Sequence, residues 1–267
     1  MVTKEDIDSY IKRLPPTPKI VQETINLLRM SELHKAAEVA KEDPALRVYL
    51  KELVNKPVFG FSKEVSDVIQ IFSILGVSGS LQAVYGYLLE MLSPDKWYFF
   101  HKMNKKLFQD FQAELSVSWG KILKHLAIND KQIEASISLI PSSLIVCEAL
   151  FNDHKEDVEL IRRAKDIDLN TILYKLSGYT VFDVCVMIVD KWELGKEIAL
   201  ILEASSAIKE FDDKEIMKLA KWIHLLLFYI ISKPQFTQAG LNDYIEFHVE
   251  FVADIYEEFM EVMEIQE

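Results

Sequence analysis

The chain has 267 residues, half of them hydrophobic and 27% charged, which supplies a sizeable core and excludes wholesale disorder. Eight glycines and eight prolines are too few for the turns of a sandwich, barrel or propeller. The net charge of −12 is concentrated at one end, with nine acids and no Lys or Arg from Asp243 to Glu267, against 33 acids and 30 bases elsewhere. A nearly neutral body with an acidic end lacks the basic face that nucleic acid requires, and it gains nothing from an anionic membrane surface. Cys147 and Cys185 have no CxxC spacing, so neither a disulfide scaffold nor a cysteine zinc site is indicated. The opening Met-Val-Thr-Lys-Glu-Asp carries no apolar signal core, which sets a cytoplasmic expectation. The longest apolar run, Trp222 to Ile231, is interrupted by His224 and is short for a membrane span.

The periodicity is helical nearly throughout. Thr17-Pro18 reads as an N-cap followed by proline at the first helical position, ahead of Ile20, Ile25, Leu27 and Leu28. Asp43-Pro44 repeats the signal before Leu46, Leu50, Leu53 and Val54, which share one helical face. Ser62 is placed to cap a segment carrying Val65, Val68, Ile69 and Phe72, and Gly76, Gly79 and Ser93-Pro94 punctuate the next junctions. Residues 95–126 read as one long helix or a kinked pair. In it Trp97, Tyr98, Phe99, Phe100 and Phe108 point inward while Lys96, Lys102, Lys105 and Lys106 are solvated. A surface that stacks single-stranded nucleic acid is the rival reading of that stretch, disfavoured by the overall charge. Ile137 to Val146 is rich in β-formers, yet Pro141 and its helical surroundings make it a buried, kinked helix. Ser177-Gly178 is a helix stop, and Asp212-Asp213 starts a strongly hydrophobic helix that ends before Pro234. A last helix opens at Gly240-Leu241-Asn242, with Asp243 and Glu246 at capping-box spacing. The expected fold is all-α, with composition shifts near residues 92 and 207.

No catalytic motif emerges. The six histidines, His34, His101, His125, His154, His224 and His248, form no HExxH, HxH or His-Asp pair, and each reads as a surface or satisfied core histidine. Phosphate-cradling glycine loops and the GxSxG elbow are missing from the sequence. His154 sits in a polar cluster beside Asp153 and reads as the start of a helix. An enzyme built on His154, Asp153 and Asp183 with unusual metal ligands is the rival reading.

The N-terminal half carries an ordered set of anchors. Leu14-Pro15-Pro16-Thr17-Pro18 is followed by Asp43-Pro44-Ala45-Leu46, then Leu50, Leu53, Asn55 and Phe59-Gly60, and finally Leu75-Gly76. This pattern resembles the HDOD domain, a family of helical modules in bacterial signalling proteins related to the HD phosphohydrolases. The resemblance covers residues 9–205 and implies a multi-helix HDOD/HD-like bundle, divided near residue 92, with residues 206–267 as an acidic helical extension packed on or near the body. The family signature, Leu14, Pro15, Pro18, Asp43, Pro44, Asn55, Gly60, Leu75, Gly76 and Trp192, has mainly structural work: prolines start helices, Asp43 caps one, Asn55 tolerates a left-handed backbone, and the glycines allow tight or close-packed backbone. In HD enzymes, histidines and aspartates gather metal ions that activate water against a phosphoester. Here the corresponding positions fall on Leu139, Ile140 and Val181, and Ala204-Ser205 stands at a further histidine-rich spot of the family.

The resemblance therefore implies a non-catalytic signal-transduction or regulatory module that binds a protein partner, without metal or other cofactor; a small ligand is a further occupant. The alternative is a divergent metal-dependent phosphohydrolase or phosphodiesterase of the HD superfamily. Nucleic acid and membrane are not expected partners. On the helix ending at Trp192, Phe182, Val186, Ile188 and Val189 form an apolar surface, and Asp183 and Asp190 are expected to face solvent or a partner. In the last helix Tyr244, Phe247, Phe251, Ile255, Phe259 and Met263 make one apolar face. Glu246, Glu250, Asp254, Glu257 and Glu261 run along another as a candidate surface for a basic partner, with simple solvation as the plainer alternative.

Overall fold

The computed structural model describes residues 2–208 and 211–264, and the described residues contain helices and no strand. The first helices are α1 (Lys4–Arg13), α2 (Lys19–Arg29), α3 (Leu33–Ala40) and α4 (Pro44–Val54), followed by α5 (Val68–Leu92) and α6 (Lys105–His125). A second group comprises α7 (Lys131–Ser136), α8 (Ser142–Asn152), α9 (Lys155–Lys165), α10 (Leu169–Ser177), α11 (Val181–Lys191) and α12 (Lys196–Ala204). The C-terminal part holds α13 (Lys214–Ile231), α14 (Pro234–Gln238), α15 (Val249–Val252) and α16 (Tyr256–Val262). Short 3-10 turns occupy Pro57–Phe59 and Ile137–Leu139.

Most starts are written locally. The Asp43 carboxylate accepts from the Ala45 and Leu46 amides with Pro44 at the first helical position, and Asp130, Asp168 and Asp213 cap α7, α10 and α13 in the same manner. Thr3 with Asp6 and Thr180 with Asp183 form reciprocal capping boxes on α1 and α11. Gly178 ends α10 with φ of 78°, a left-handed value that favours glycine.

The second half of α5 is the axis of the molecule. Ser80 through Leu89 are all buried, because α2, α3 and α4 pack against this helix, as do α6, α7 and the Ile137–Leu139 turn. Gly76, at φ 69° and ψ −174°, breaks α5 between its first two turns and this buried half. α11 packs on α8 and α12, and α13 on α6 and α12, so that one apolar core runs from Val2 to Phe259.

Several local expectations are corrected. α2 begins at Lys19 with Pro18 itself at the cap and no side-chain cap bond, so Thr17 is not the cap. Asp67, not Ser62, caps α5. Residues 95–104 are not helical: Tyr98, Phe99 and Phe100 give their amides to the buried Glu148 carboxylate at 2.6–3.2 Å, which holds the chain open until Asn104 caps α6. The aromatic residues of this stretch turn inward as expected, Tyr98 excepted. Two stretches, Val68–Leu92 and Lys131–Asn152, are long and apolar enough to cross a membrane by length and composition alone, although neither is the longest uninterrupted apolar run. In this fold they supply the centre of the core.

The largest correction concerns the C-terminus. No continuous helix runs from Asn242: residues 242–248 are irregular, and α15 and α16 are separated by a turn at 253–255. The expected cap at Asp243 does not form, because its carboxylate takes the Arg162 guanidinium at 2.5 Å and its carbonyl accepts from the Leu169 amide. The anticipated stripe of Glu246, Glu250, Asp254, Glu257 and Glu261 on one helix therefore does not exist as a helical register, and only the 257/261 pair keeps its four-residue spacing inside a helix. The expected apolar face is covered only in part: Tyr244, Ile255 and Phe259 are buried, whereas Phe247, Phe251 and Met263 are half-buried.

Candidate functional site

The three positions that the resemblance sets against HD ligand positions converge on one buried cluster. Leu139 and Ile140 lie at the junction of the Ile137–Leu139 turn and α8, and Val181 opens α11; each is at most 1% exposed. Cys185, one turn along α11, joins them, its thiol lying 3.2 Å from the Val181 carbonyl and 3.6 Å from the Ile140 carbonyl. Ser142 and Ser143 give their hydroxyls to the Leu139 and Ile140 carbonyls, which satisfies the backbone freed around Pro141. From the C-terminal segment, the Tyr244 hydroxyl donates to the Ser143 hydroxyl at 2.6 Å. Tyr244 is anchored in turn by its carbonyl, which takes the Asn170 amide, while the Asn170 side chain accepts from the Val181 amide at 2.8 Å.

This set does not fit a metal ion. Its side chains are aliphatic, hydroxyl and thiol, and burial pushes the Cys147 thiol up to about 12 and the Cys185 thiol up to about 11. A metal requires the deprotonated thiolate, which this dry surrounding penalises. Among the described residues no group of three or more His, Cys, Asp or Glu is placed to hold a metal ion.

The family-signature residues are distributed as joints around the bundle. Trp192, 5% exposed, ends α11 and donates its indole N–H to the Pro15 carbonyl at 3.2 Å, bringing the N-terminal Leu-Pro-Pro run and the Trp into one contact. Asn55 is not left-handed (φ −86°); its amide instead donates to the Lys51 and Val65 carbonyls and accepts the Val65 N–H, clasping the 56–64 loop. Gly60 does adopt φ of 70° at the end of the 3-10 turn. Leu75 precedes the Gly76 break and packs on Gly79, where an added Cβ would stand 3.1 Å from the Leu75 Cβ. The rival enzymatic set is dispersed in role: His154 stands at the start of α9, and Asp183 is the reciprocal cap of α11 rather than a solvent-facing acid. Asp190 is exposed.

The acidic residues Glu246, Glu250, Asp254, Glu257 and Glu261 are all exposed, but bases from the body reach into their neighbourhood. Lys221 of α13 pairs with Asp254 at 2.7 Å, and His125 of α6 meets Glu258 at 2.7 Å. The sequence reading does not single out Glu148, although a lone acid in the apolar run Leu144 to Phe151 is a readable signal. Tyr244 is expected there only as part of an apolar face, and nothing local marks its hydroxyl as a partner of Ser143.

The HDOD domain family profile matches residues 14–208. No curated protein matches the chain. Among solved structures, an HDOD domain protein with unknown function from Geobacter sulfurreducens has 14% identity and a TM-score of 0.65, covering 97% of this chain and 94% of that one. A proposed metal-dependent phosphohydrolase from Shewanella amazonensis SB2B has 12% identity and a TM-score of 0.52, covering 90% of this chain and 97% of its own. At these identities the two structures share the fold. With the family profile spanning most of its length, this chain belongs to the HDOD domain family.

Proposed function

We propose that this chain is a non-catalytic regulatory module of a cytoplasmic signalling pathway, acting by binding a protein partner. The observation that carries the reading is the filled centre: Leu139, Ile140, Val181, Cys185 and Tyr244 are buried, and the Cys185 thiol and Tyr244 hydroxyl bond to the backbone and to Ser143, which supports a centre without the ligands of an HD-type metal site. A buried carboxylate or imidazole there would cost several kcal/mol, roughly, without a metal or partner, and the aliphatic residues avoid that cost. The acidic, exposed band from Glu246 to Glu261 is the proposed partner surface, complementary to a basic one.

The test is elemental analysis of the purified chain together with phosphodiester hydrolysis in added manganese. The expected result is no stoichiometric metal and no turnover. Near one metal per chain, with hydrolysis lost on chelation, would overturn the proposal in favour of a divergent phosphohydrolase, the activity suggested for the Shewanella protein of the same fold.

A further inference from the structure

A second internal feature lies apart from the filled centre. α4, α5, α6 and α7 line a half-open cavity of about 230 Å³. It is smaller than the roughly 300–1,000 Å³ of pockets for drug-sized ligands, and so suits a single or fused ring. Its lining includes the apolar Leu53, Phe59, Leu75 and Val117. The lining also holds polar side chains fixed by hydrogen bonds. Gln82 donates its amide to the Glu134 carbonyl at 2.7 Å, and Gln112 donates to the Gly86 carbonyl at 3.0 Å; both glutamines are at most 9% exposed. Tyr49 lies so close over Gly86 that a Cβ there would meet its hydroxyl at 2.3 Å, so glycine is required for this arrangement.

Those bonds fix what the wall can still offer. Because a carbonyl only accepts, Gln82 must turn its NH₂ toward Glu134 and keep its own carbonyl oxygen as an acceptor. Glu134 lines the cavity and makes no ion pair among the described residues, and no Lys or Arg lines the cavity. Ser138, 5% exposed and on the cavity border, has a hydroxyl with no hydrogen-bond partner among the described residues. A buried hydroxyl without a partner costs about 1–3 kcal/mol, a cost that a ligand or water able to bond it would remove. The available groups are thus acceptors and the hydroxyls of Ser116 and Ser138, the latter without a partner among the described residues, with apolar residues in the same lining and no cation to receive an anion.

We propose that this cavity binds a small, uncharged, nitrogen-rich ring of the nucleobase class, donating its N–H groups to Glu134 and Gln82 and completing the hydroxyl of Ser138. Phosphorylated forms are excluded by the chemistry of the wall, whose one charged group is a carboxylate. The site does not depend on the protein partner proposed above, and its test uses the isolated chain, so either proposal can fail alone.

The experiment is titration calorimetry and thermal melting of the full chain with adenine, guanine and cytosine, and with the corresponding nucleoside monophosphates. At least one free base should bind with one site per chain and raise the melting temperature, and its monophosphate should bind at least about tenfold more weakly. Ser138→Ala separates a ligand role from a structural one: it should raise the melting temperature of the free protein, by removing the orphan, while weakening the base about three- to tenfold. Glu134→Gln should weaken it by tenfold or more. Gly120, exposed at the cavity edge with open space where a Cβ would stand, offers a variant that leaves the core untouched. Gly120→Leu should abolish base binding without loss of fold. Absence of binding by all three bases, equal binding of the monophosphates, or unchanged affinity in Ser138→Ala and Gly120→Leu would overturn the proposal.

Discussion

The body up to α12 and the stretch after α14 are both helical in composition, yet they are held by different means. In the body, α1, α4, α5, α6, α7, α10 and α11 each begin with an Asp, Asn or Thr side chain that accepts from the first turn. After Leu241, neither α15 nor α16 has a side-chain cap, and the helices are four and seven residues long. Such short helices have little stability of their own, so tertiary contacts must hold them. Those contacts are visible: Asp243 to Arg162 and the Leu169 amide, Tyr244 to Ser143 and Asn170, Phe259 against Trp222 and Tyr229. The difference teaches that local start signals specify an element's ends only where they are not outbid by a better partner elsewhere. Asp243 is the example, since it has the sequence of a cap and the geometry of an anchor.

The contrast can be broken most severely in the body. Trp192→Ala removes a buried indole and its bond to the Pro15 carbonyl, and should destabilise by about 3–5 kcal/mol in denaturant melting. A variant that melts like the parent would show that the joint between the N-terminal run and α11 contributes nothing.

A smaller effect sits where α13 meets the C-terminal stretch. Burial pushes His224 down to about 4, with His248 5.3 Å away adding to the lowering and the bond to the Ser205 carbonyl opposing it. An unfolded histidine titrates near 6.5, so between these values the unfolded chain takes up a proton that the folded chain refuses. Stability is therefore complete above pH ~6.5 and is lost as the pH falls toward 4, by roughly 3 kcal/mol. Melting curves across this range should show that slope in the parent, and His224→Gln should flatten it.

The smallest effect belongs to the acidic band. Asp254 and Lys221 form an exposed pair, so Asp254→Asn should change stability by about 0.2–1 kcal/mol at low salt and by less at high salt. A loss well above that in chemical denaturation would make the band a structural element of the extension rather than a surface available to a partner.

Much of the bundle was legible in the residues themselves. Asp43-Pro44, Ser177-Gly178, Asp213 and the kink at Pro141 each encode a local event, a cap, a left-handed stop or a break, whose partners lie within four residues. The ordered anchors from Leu14 to Gly76 carried the family. Leu139, Ile140 and Val181 were legible as aliphatic residues of helical segments. Their meeting around Cys185, and the arrival of Tyr244 from a segment about a hundred residues away, depended on packing. The same holds for Glu148, whose carboxylate replaces an expected helix with an open loop because three amides at residues 98–100 come within its reach. It also holds for the cavity, since four helices must assemble before the Ser138 hydroxyl is left without a partner. Sequence by itself determined the helical class, the family and the mostly local caps, because their physics lies within one or two turns. Tertiary structure alone decided the course of the C-terminal stretch and the two interior sites, because a carboxylate, hydroxyl or carbonyl bonds to whichever partner the fold brings within about 3 Å.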